Sequence, residues 1–292
     1  MNGPVVVGVD GSPSSMAAVE VAAREAGLRG VGLRLVHAFS WPAAHVPPGR
    51  PWEPNGAGLR ELIDGTLAEA EGLARRRAPG IEVMREVVVG EPVTVLEIES
   101  CTASLVVVGS RGLSRFGALL LGSTAGHLTA HAACPVLVVR GRSNPAGPVL
   151  LAVDGSPAAH GAVEFAFAQA SLHGKDLIAL HVWGAQRERT YDGPSDPPFG
   201  TYDEDRLRDE EQRVPAEALG GLGEKFPEVT VHRRLVRGRI RHSLIEASAG
   251  AGLVVVGARG GGGFAGLLLG SVSQAVLHHA RCPVAVVRTG GV

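Results

Sequence analysis

The sequence predicts a duplicated α/β fold: two tandem domains, each an open-twisted, parallel five-stranded sheet with helices on both faces. Three observations predict it. One set of motifs occurs twice along the 292 residues. Apolar runs of strand length alternate with helical patterns, the signature of strands joined by crossover helices. The strand-length runs carry almost no polar residue, as strands covered on both faces require.

The duplication reads directly from the residues. Val7-Gly8-Val9-Asp10-Gly11-Ser12-Pro13 recurs as Leu151-Ala152-Val153-Asp154-Gly155-Ser156-Pro157. Leu35-Val36-His37 recurs as Ala179-Leu180-His181, Val106-Val107-Val108-Gly109 as Val254-Val255-Val256-Gly257, and Cys134-Pro135-Val136 as Cys282-Pro283-Val284. The offset is 144 in the early segments and 148 in the later ones, so the second copy carries four more residues after its second strand. That period is far longer than the 20–50 residues of a solenoid unit and marks domain duplication. Domains are expected at 1–142 and 149–292, with the Pro/Gly/Asn stretch 143–148 as linker.

Within the first copy, residues 5–9 form an uninterrupted apolar run and predict the first strand. Residues 14–28 are Ala-rich with helical spacing. Residues 33–38 predict a second strand and 60–77 a second helix with a charged face. A third strand is expected over 81–89 and a third helix over 92–103, Pro92 standing at its first position. The run 105–108 is a fourth strand, 119–132 a fourth helix and 136–139 a fifth strand. Sheets of this kind bind ligands at the C-terminal ends of their strands, near the point where strand order reverses.

Composition excludes several chemistries. Net charge is −1, with 28 basic and 29 acidic residues, which argues against binding a nucleic-acid backbone. Lys175 and Lys225 are the only lysines, and Gly174-Lys175 is followed by Asp176, so no P-loop exists and a Schiff-base enzyme is disfavoured. Three cysteines form no CxxC pair, which speaks against a disulfide framework or a cysteine zinc site. The start of the chain lacks the pattern of a signal peptide, and no apolar run approaches the ~20 residues of a membrane helix. A cytoplasmic protein with no membrane partner is the expectation. Aromatic residues are 4% of the chain, so the core must be aliphatic.

The candidate site is a Gly-rich loop after the fourth strand. Gly109-Ser110-Arg111-Gly112 follows Val108, and nine residues later come Gly122 and Ser123. The second copy repeats the spacing with Val256, Gly257, Arg259, Gly260, Gly270 and Ser271. Small residues let a backbone approach a ligand closely. Gly109 and Gly112 suggest a nest of amides at the strand end. Gly122-Ser123 stands where the next helix begins, so its free N–H groups and positive dipole end favour an anion. Four such bonds at ~1.5 kcal/mol each give about 6 kcal/mol, short of the ~8 kcal/mol of a micromolar complex. A second anchor is needed. Asp10 and Asp154, at the ends of the first strands, are candidates for holding a ribose or base. The Asp-Gly-Ser stretches read equally as helix caps with tight turns, and one residue can serve both ends.

With these motifs in hand the sequence resembles the universal stress protein family in its tandem form, over nearly the whole chain. The resemblance rests on the VDGSP stretches, on the two G-x2-G-x9-G-[ST] stretches and on the Cys134–Arg140 and Cys282–Arg288 ends. It implies a Rossmann-like domain of the adenine-nucleotide alpha hydrolase type, one ATP per domain (with or without Mg2+), and an intrachain pseudo-dimer that can associate further as a homo-oligomer. It further implies adenosine contacts at Asp10 and Ala38 and at Asp154 and Val182. Phosphate contacts fall in the Gly-rich loops, including Arg111 and Arg259. The copies differ after the Gly-Ser pair: Ser123-Thr124-Ala125 against Ser271-Val272-Ser273, which suggests that the first site has one phosphate hydroxyl fewer. The function implied is that of a nucleotide-dependent stress-response regulator working through a protein partner. The alternatives are a slow ATP-hydrolysing or group-transferring enzyme, and an interaction module that no longer holds nucleotide.

Lesser signals fit packing better than chemistry. His37 and His181 end their strands as packing residues. Cys134 and Cys282 read as buried, inert thiols. The Gly261-Gly262-Gly263-Phe264-Ala265-Gly266 run matches a dinucleotide fingerprint formally, but no equivalent occurs in the first copy. The Pro-rich stretches 41–55 and 191–199 read as surface connections, and Arg233, Arg234, Arg237, Arg239 and Arg241 as a solvated edge. The Val-rich fifth strands are candidate pairing edges.

Overall fold

The structure, a computed structural model, describes residues 3–39, 56–112, 121–141, 144–184, 204–261 and 268–288. The chain divides into two compact units, Met1–Val139 and Arg140–Val292. Unit 1 runs β1 (Val5–Gly8), α1 (Pro13–Arg29), β2 (Leu33–Phe39), α2 (Gly56–Arg77), β3 (Val83–Val89), α3 (Pro92–Ser100), β4 (Leu105–Gly109), α4 (Ser123–His131) and β5 (Val136–Val139). Its strands lie in the order β3-β2-β1-β4-β5 and every described pairing is parallel. The chain steps outward from β1 to β3, then crosses back to β4. Since crossovers are right-handed, the first two helices cover one face and the last two the other; α1 packs on α2, and α3 on α4.

Local sequence explains the elements. Ser12 caps α1 by accepting the Ser15 N–H, Pro13 stands in its first turn and Gly30 closes it in the left-handed region at φ 66. Ala18, Ala22, Ala23 and Ala26 are fully buried along this helix, and their small side chains let it lie close on the sheet. β1 and β4 bury Val5, Val6, Val7, Val106 and Val107 completely, as central strands covered on both faces must.

Unit 2 runs β6 (Val149–Val153), a 3-10 turn (Pro157–Ala159), α5 (His160–His173), β7 (Leu177–Gly184), α6 (Glu204–Ala218), α7 (Leu222–Lys225), β8 (Val231–Gly238), α8 (Ile240–Ala247), β9 (Leu253–Gly257), α9 (Ser271–His279) and β10 (Val284–Val287). Its strand order, β10-β9-β6-β7-β8, repeats that of unit 1. The core is aliphatic as composition requires; Phe167, stacked on Phe226 at 5.8 Å, is its one fully buried aromatic side chain among the described residues. No helix among the described residues is long and apolar enough to cross a membrane.

Element boundaries differ from the sequence expectation by two or more residues in four places, one being α3, which ends at Ser100 rather than 103. α2 begins at Gly56 rather than 60, because glycines depress helix propensity without forbidding a helix. β3 begins at Val83 rather than 81, where its register with Leu33 starts. α4 begins at Ser123 rather than 119: Gly122, at φ −69 and ψ 149, is extended and cannot continue a helix backwards.

Candidate functional site

The reversal of strand order lies between β1 and β4 in unit 1, where Val7 pairs with Val107. That pairing brings Asp10, just past β1, beside the turn that follows β4. A Cβ on Gly112 would sit 2.6 Å from the Asp10 Oδ2, and one on Gly109 would sit 2.7 Å from the main chain of Ser14. Close approach of main chain therefore requires a glycine at 109, whereas at 112 a side chain would displace the Asp10 carboxylate. Asp10 accepts the Ser12 N–H at 2.9 Å, closing a turn through Gly11 at φ 80. The cap of α1 is Ser12, not the aspartate, so Asp10 aims its carboxylate at the β4 loop.

The strand-end amides are already engaged. The Ser110 N–H donates to Val139 O at 3.0 Å and the Arg111 N–H to the Ser14 hydroxyl at 3.3 Å. Gly122 donates to Ser110 O at 2.8 Å, which draws the two ends of the loop together. The amides of Ser110 and Arg111, between Gly109 and Gly112, are thus taken up within the protein, as main-chain donors at a strand end find partners. What remains is the first turn of α4. Gly122 caps it with no side-chain hydrogen bond, and the turn holds no acidic residue. A Cβ at Gly122 would meet Ser110 O at 3.5 Å and Arg111 Cα at 3.7 Å, ordinary contacts, so packing does not demand a glycine there. Ser123 is exposed at the first helical position and Thr124 is half-buried beside it.

Unit 2 repeats the plan with different fastenings. Asp154 accepts the Ser156 N–H at 3.0 Å, the Ser156 hydroxyl at 2.7 Å and, across the crevice, the Gly261 N–H at 2.8 Å. A Cβ on Gly260 would lie 2.5 Å from its Oδ2. Gly270 donates to Ala258 O at 2.7 Å and caps α9 with no side-chain hydrogen bond. A Cβ there would meet Ala258 O at 3.4 Å. Gly257 is tighter, with Arg259 O at 3.0 Å. Ser271 is exposed and Val272 half-buried, whereas Ser273 is buried and donates to Gly257 O at 2.6 Å.

The Ser273 hydroxyl therefore ties α9 to the end of β9. Unit 1 places its own hydroxyl differently: Ser14 fastens the β4 loop, where unit 2 has Ala158, and Ala125 stands where unit 2 has Ser273. Sequence reasoning missed Ser14. Aligning the two copies and noting that a serine leaves one position as another appears nearby would have found it.

The other expected residues fall as follows. Ala38 is half-buried near the end of β2 and Val182 is buried in β7. Val108 and Val256 are buried one residue before their strand-end glycines, and Arg111 and Arg259 are exposed on the loops. His181 is a packing residue with both ring nitrogens satisfied: Nδ1 lies 2.8 Å from Val153 O and Nε2 2.8 Å from the Glu211 carboxylate on α6. His37 differs, its Nδ1 being buried without a partner among the described residues. Cys134 and Cys282 are buried, and desolvation pushes each thiol up to about 12. The five arginines of 233–241 are exposed, with the Arg237 guanidinium 5.7 Å from the Trp183 ring centre. No group of three or more His, Cys, Asp or Glu side chains among the described residues could hold a metal. The Pro-rich stretches, most of the Gly261–Gly266 run, and the loop interiors 113–120 and 262–267 lie outside the described residues.

Comparison with known proteins bears on the family and the fold. The model of the universal stress protein family matches residues 1–140 and again 146–288. A universal stress protein of Mycolicibacterium smegmatis is 40% identical over 97% of this chain and 96% of its own length. One from Mycobacterium tuberculosis H37Rv is 38% identical over the same shares of both chains. The crystal structure of a universal stress protein from Archaeoglobus fulgidus shares the fold across 99% of this chain and 97% of that one, at a TM-score of 0.70 and 22% identity.

Proposed function

The chain belongs to the universal stress protein family, and from that premise we propose that each unit binds one ATP at the C-terminal end of its sheet and that the protein is a nucleotide-dependent regulator in the cytoplasm. One observation carries the reading. In both units a helix of nine residues opens, at the reversal of strand order, on a glycine that no packing contact requires and no side chain caps. A bare helix start of this kind is a ready site for a phosphate group. Asp10 or Asp154 lies across the same crevice as an acceptor for ribose hydroxyls, with Ala38 or Val182 beside it.

Binding would act on what the loops now hold. In unit 2 the Gly261 N–H is held by Asp154. A nucleotide taking Asp154 for its ribose would release that loop and change the face offered to a partner. The same hydrogen bond favours the second reading, an interaction module whose loop stays closed over Asp154.

The test is nucleotide released from freshly purified protein on denaturation, measured by mass spectrometry and compared with Gly122→Val and Gly270→Val. These positions suit better than Gly109, where a side chain would strike the Ser14 backbone. Two nucleotides per wild-type chain and one per single variant, with circular dichroism unchanged, is the expected result. No released nucleotide and no thermal shift with added ATP would favour the closed module.

A further inference from the structure

Unit 2 contains a cavity that unit 1 fills. It measures about 510 Å³ and lies between α8 and the sheet, within the range of small-molecule sites. Leu150 of β6, Ile178 and Leu180 of β7, and Arg234 and Val236 of β8 line one side, and Ala247 of α8 the other. Residues two apart on a strand share a face, which is why Ile178 with Leu180 and Arg234 with Val236 point into one space.

The two copies can be aligned by structure here. The hydroxyls of Ser100 and Ser248 each accept a main-chain N–H at 2.9 Å, from Ala133 and Arg281, fixing the offset of 148 for the third helix. Ile178 then stands where unit 1 has Arg34, Arg234 where it has Glu86, and Ala247 where it has Glu99. Ser243 replaces Val95 and Gly250 replaces Thr102. In unit 1 this space holds an ion cluster: the Arg34 guanidinium lies 2.7 Å from Glu86 and 2.9 Å from Glu99. The Glu86 hydrogen bond raises the Arg34 pKa above its ordinary value, outweighing desolvation, with the charge of Glu99 adding to it. Unit 2 lacks the counterparts of both carboxylates and of the central guanidinium, and four of its wall residues are smaller than those they replace. A mainly apolar hollow is left, with Arg234, Ser243 and Glu246 as the polar residues of its lining. Arg234 makes no ion pair or hydrogen bond among the described residues, whereas Glu246 is paired with His242 at 3.1 Å.

We propose that this cavity is a second ligand site, distinct from the nucleotide crevice, for a small amphipathic carboxylate. The apolar body lies over Leu150, Ile178 and Leu180, and the carboxylate takes the fork of Arg234, as in bidentate arginine–carboxylate pairs. From β6 to β8 is two strand spacings, about 10 Å, which an extended chain of about eight carbons spans. The ligand restores, from outside, the charge pairing that unit 1 makes internally.

Isothermal titration of the intact chain with octanoate tests this. Saturable one-to-one binding is expected, weakened at least tenfold by Arg234→Gln and abolished by Ala247→Phe, which fills the hollow. Octan-1-ol, with the same body and no charge, should bind at least tenfold more weakly, and saturating ATP should leave octanoate binding unchanged. Arg234 is exposed, so its substitution tests the site even if Ala247→Phe fails to fold. Absence of binding to 10 mM octanoate, equal affinity in Arg234→Gln, or displacement by ATP would each overturn the proposal.

Discussion

Single residues here are governed by burial and by the partner each polar atom finds. Cys134 and Cys282 are buried, with thiols pushed up to about 12 by desolvation, while Cys101 is exposed. Native protein treated with iodoacetamide at pH 8 should therefore gain one adduct, at Cys101, and three after denaturation; fast labelling of either buried thiol would contradict the packing seen here. His278 shows the opposite sign. Burial holds its pKa below the ordinary histidine value of 6.5, with His279 and Arg140 adding to the effect. The folded state thus binds fewer protons than the unfolded one, so stability is intact above 6.5 and declines as pH falls through that value toward the lower folded pKa. Replacing His278 with Gln should flatten the fall in melting temperature between pH 7 and 5.5. The Ser273 hydroxyl donates to Gly257 O from a buried position, so Ser273→Ala should cost about 1 kcal/mol in urea unfolding and leave nucleotide stoichiometry untouched.

Helices and strands owe their ends to short-range chemistry and their faces to the sheet. α1 closes on Gly30 at φ 66 with open space around it; Gly30→Ala should cost about 1 kcal/mol through backbone strain alone, readable as a lower urea midpoint at unchanged slope. The C-terminal end of α9 is held differently: the Arg140 guanidinium donates to the carbonyls of Val276, Leu277 and His278, a cation placed on the negative end of the dipole. Between elements, Arg34 of β2 joins Glu86 of β3 to Glu99 of α3 with about a quarter of its side chain exposed. Arg34→Ala should destabilise by about 2 kcal/mol, less than a fully buried pair would, because water reaches the orphaned carboxylates.

At the scale of the whole chain, duplication has preserved topology and let side chains drift. Both units keep the strand order, the glycine before α4 or α9 and the serine that ties the end of α3 or α8 to the segment leading into β5 or β10. They differ in how the crevice loop is fastened and in whether the space under the third helix is filled. If each unit binds ATP, the ligand stabilises by about 2.7 kcal/mol at one hundred times its dissociation constant. Scanning calorimetry should then show a rise in melting temperature that Gly122→Val with Gly270→Val together removes.

The order of strands and helices is legible in the sequence because each rests on local patterning: all-apolar runs for central strands, alanine spacing for α1, Ser-Pro and Gly at its ends. The family is legible too, since its motifs are short and occur twice. The crevice is legible only in outline. The spacing of Gly109 and Gly112 suggests amides open to a ligand, but whether a loop amide is free depends on residues distant in sequence, and Ser14 and Val139 hold the neighbouring ones. Ser273 looks like a ligand hydroxyl for the same reason, and only the fold turns it toward Gly257. The cavity of unit 2 has no local signature at all, because it is the joint result of Ile178, Ala247, Ser243 and Gly250, which meet only when strand and helix pack. Periodicity and caps are encoded between near neighbours and so belong to the sequence; the partner of a given polar atom, and the volume left between two elements, are decided by tertiary packing.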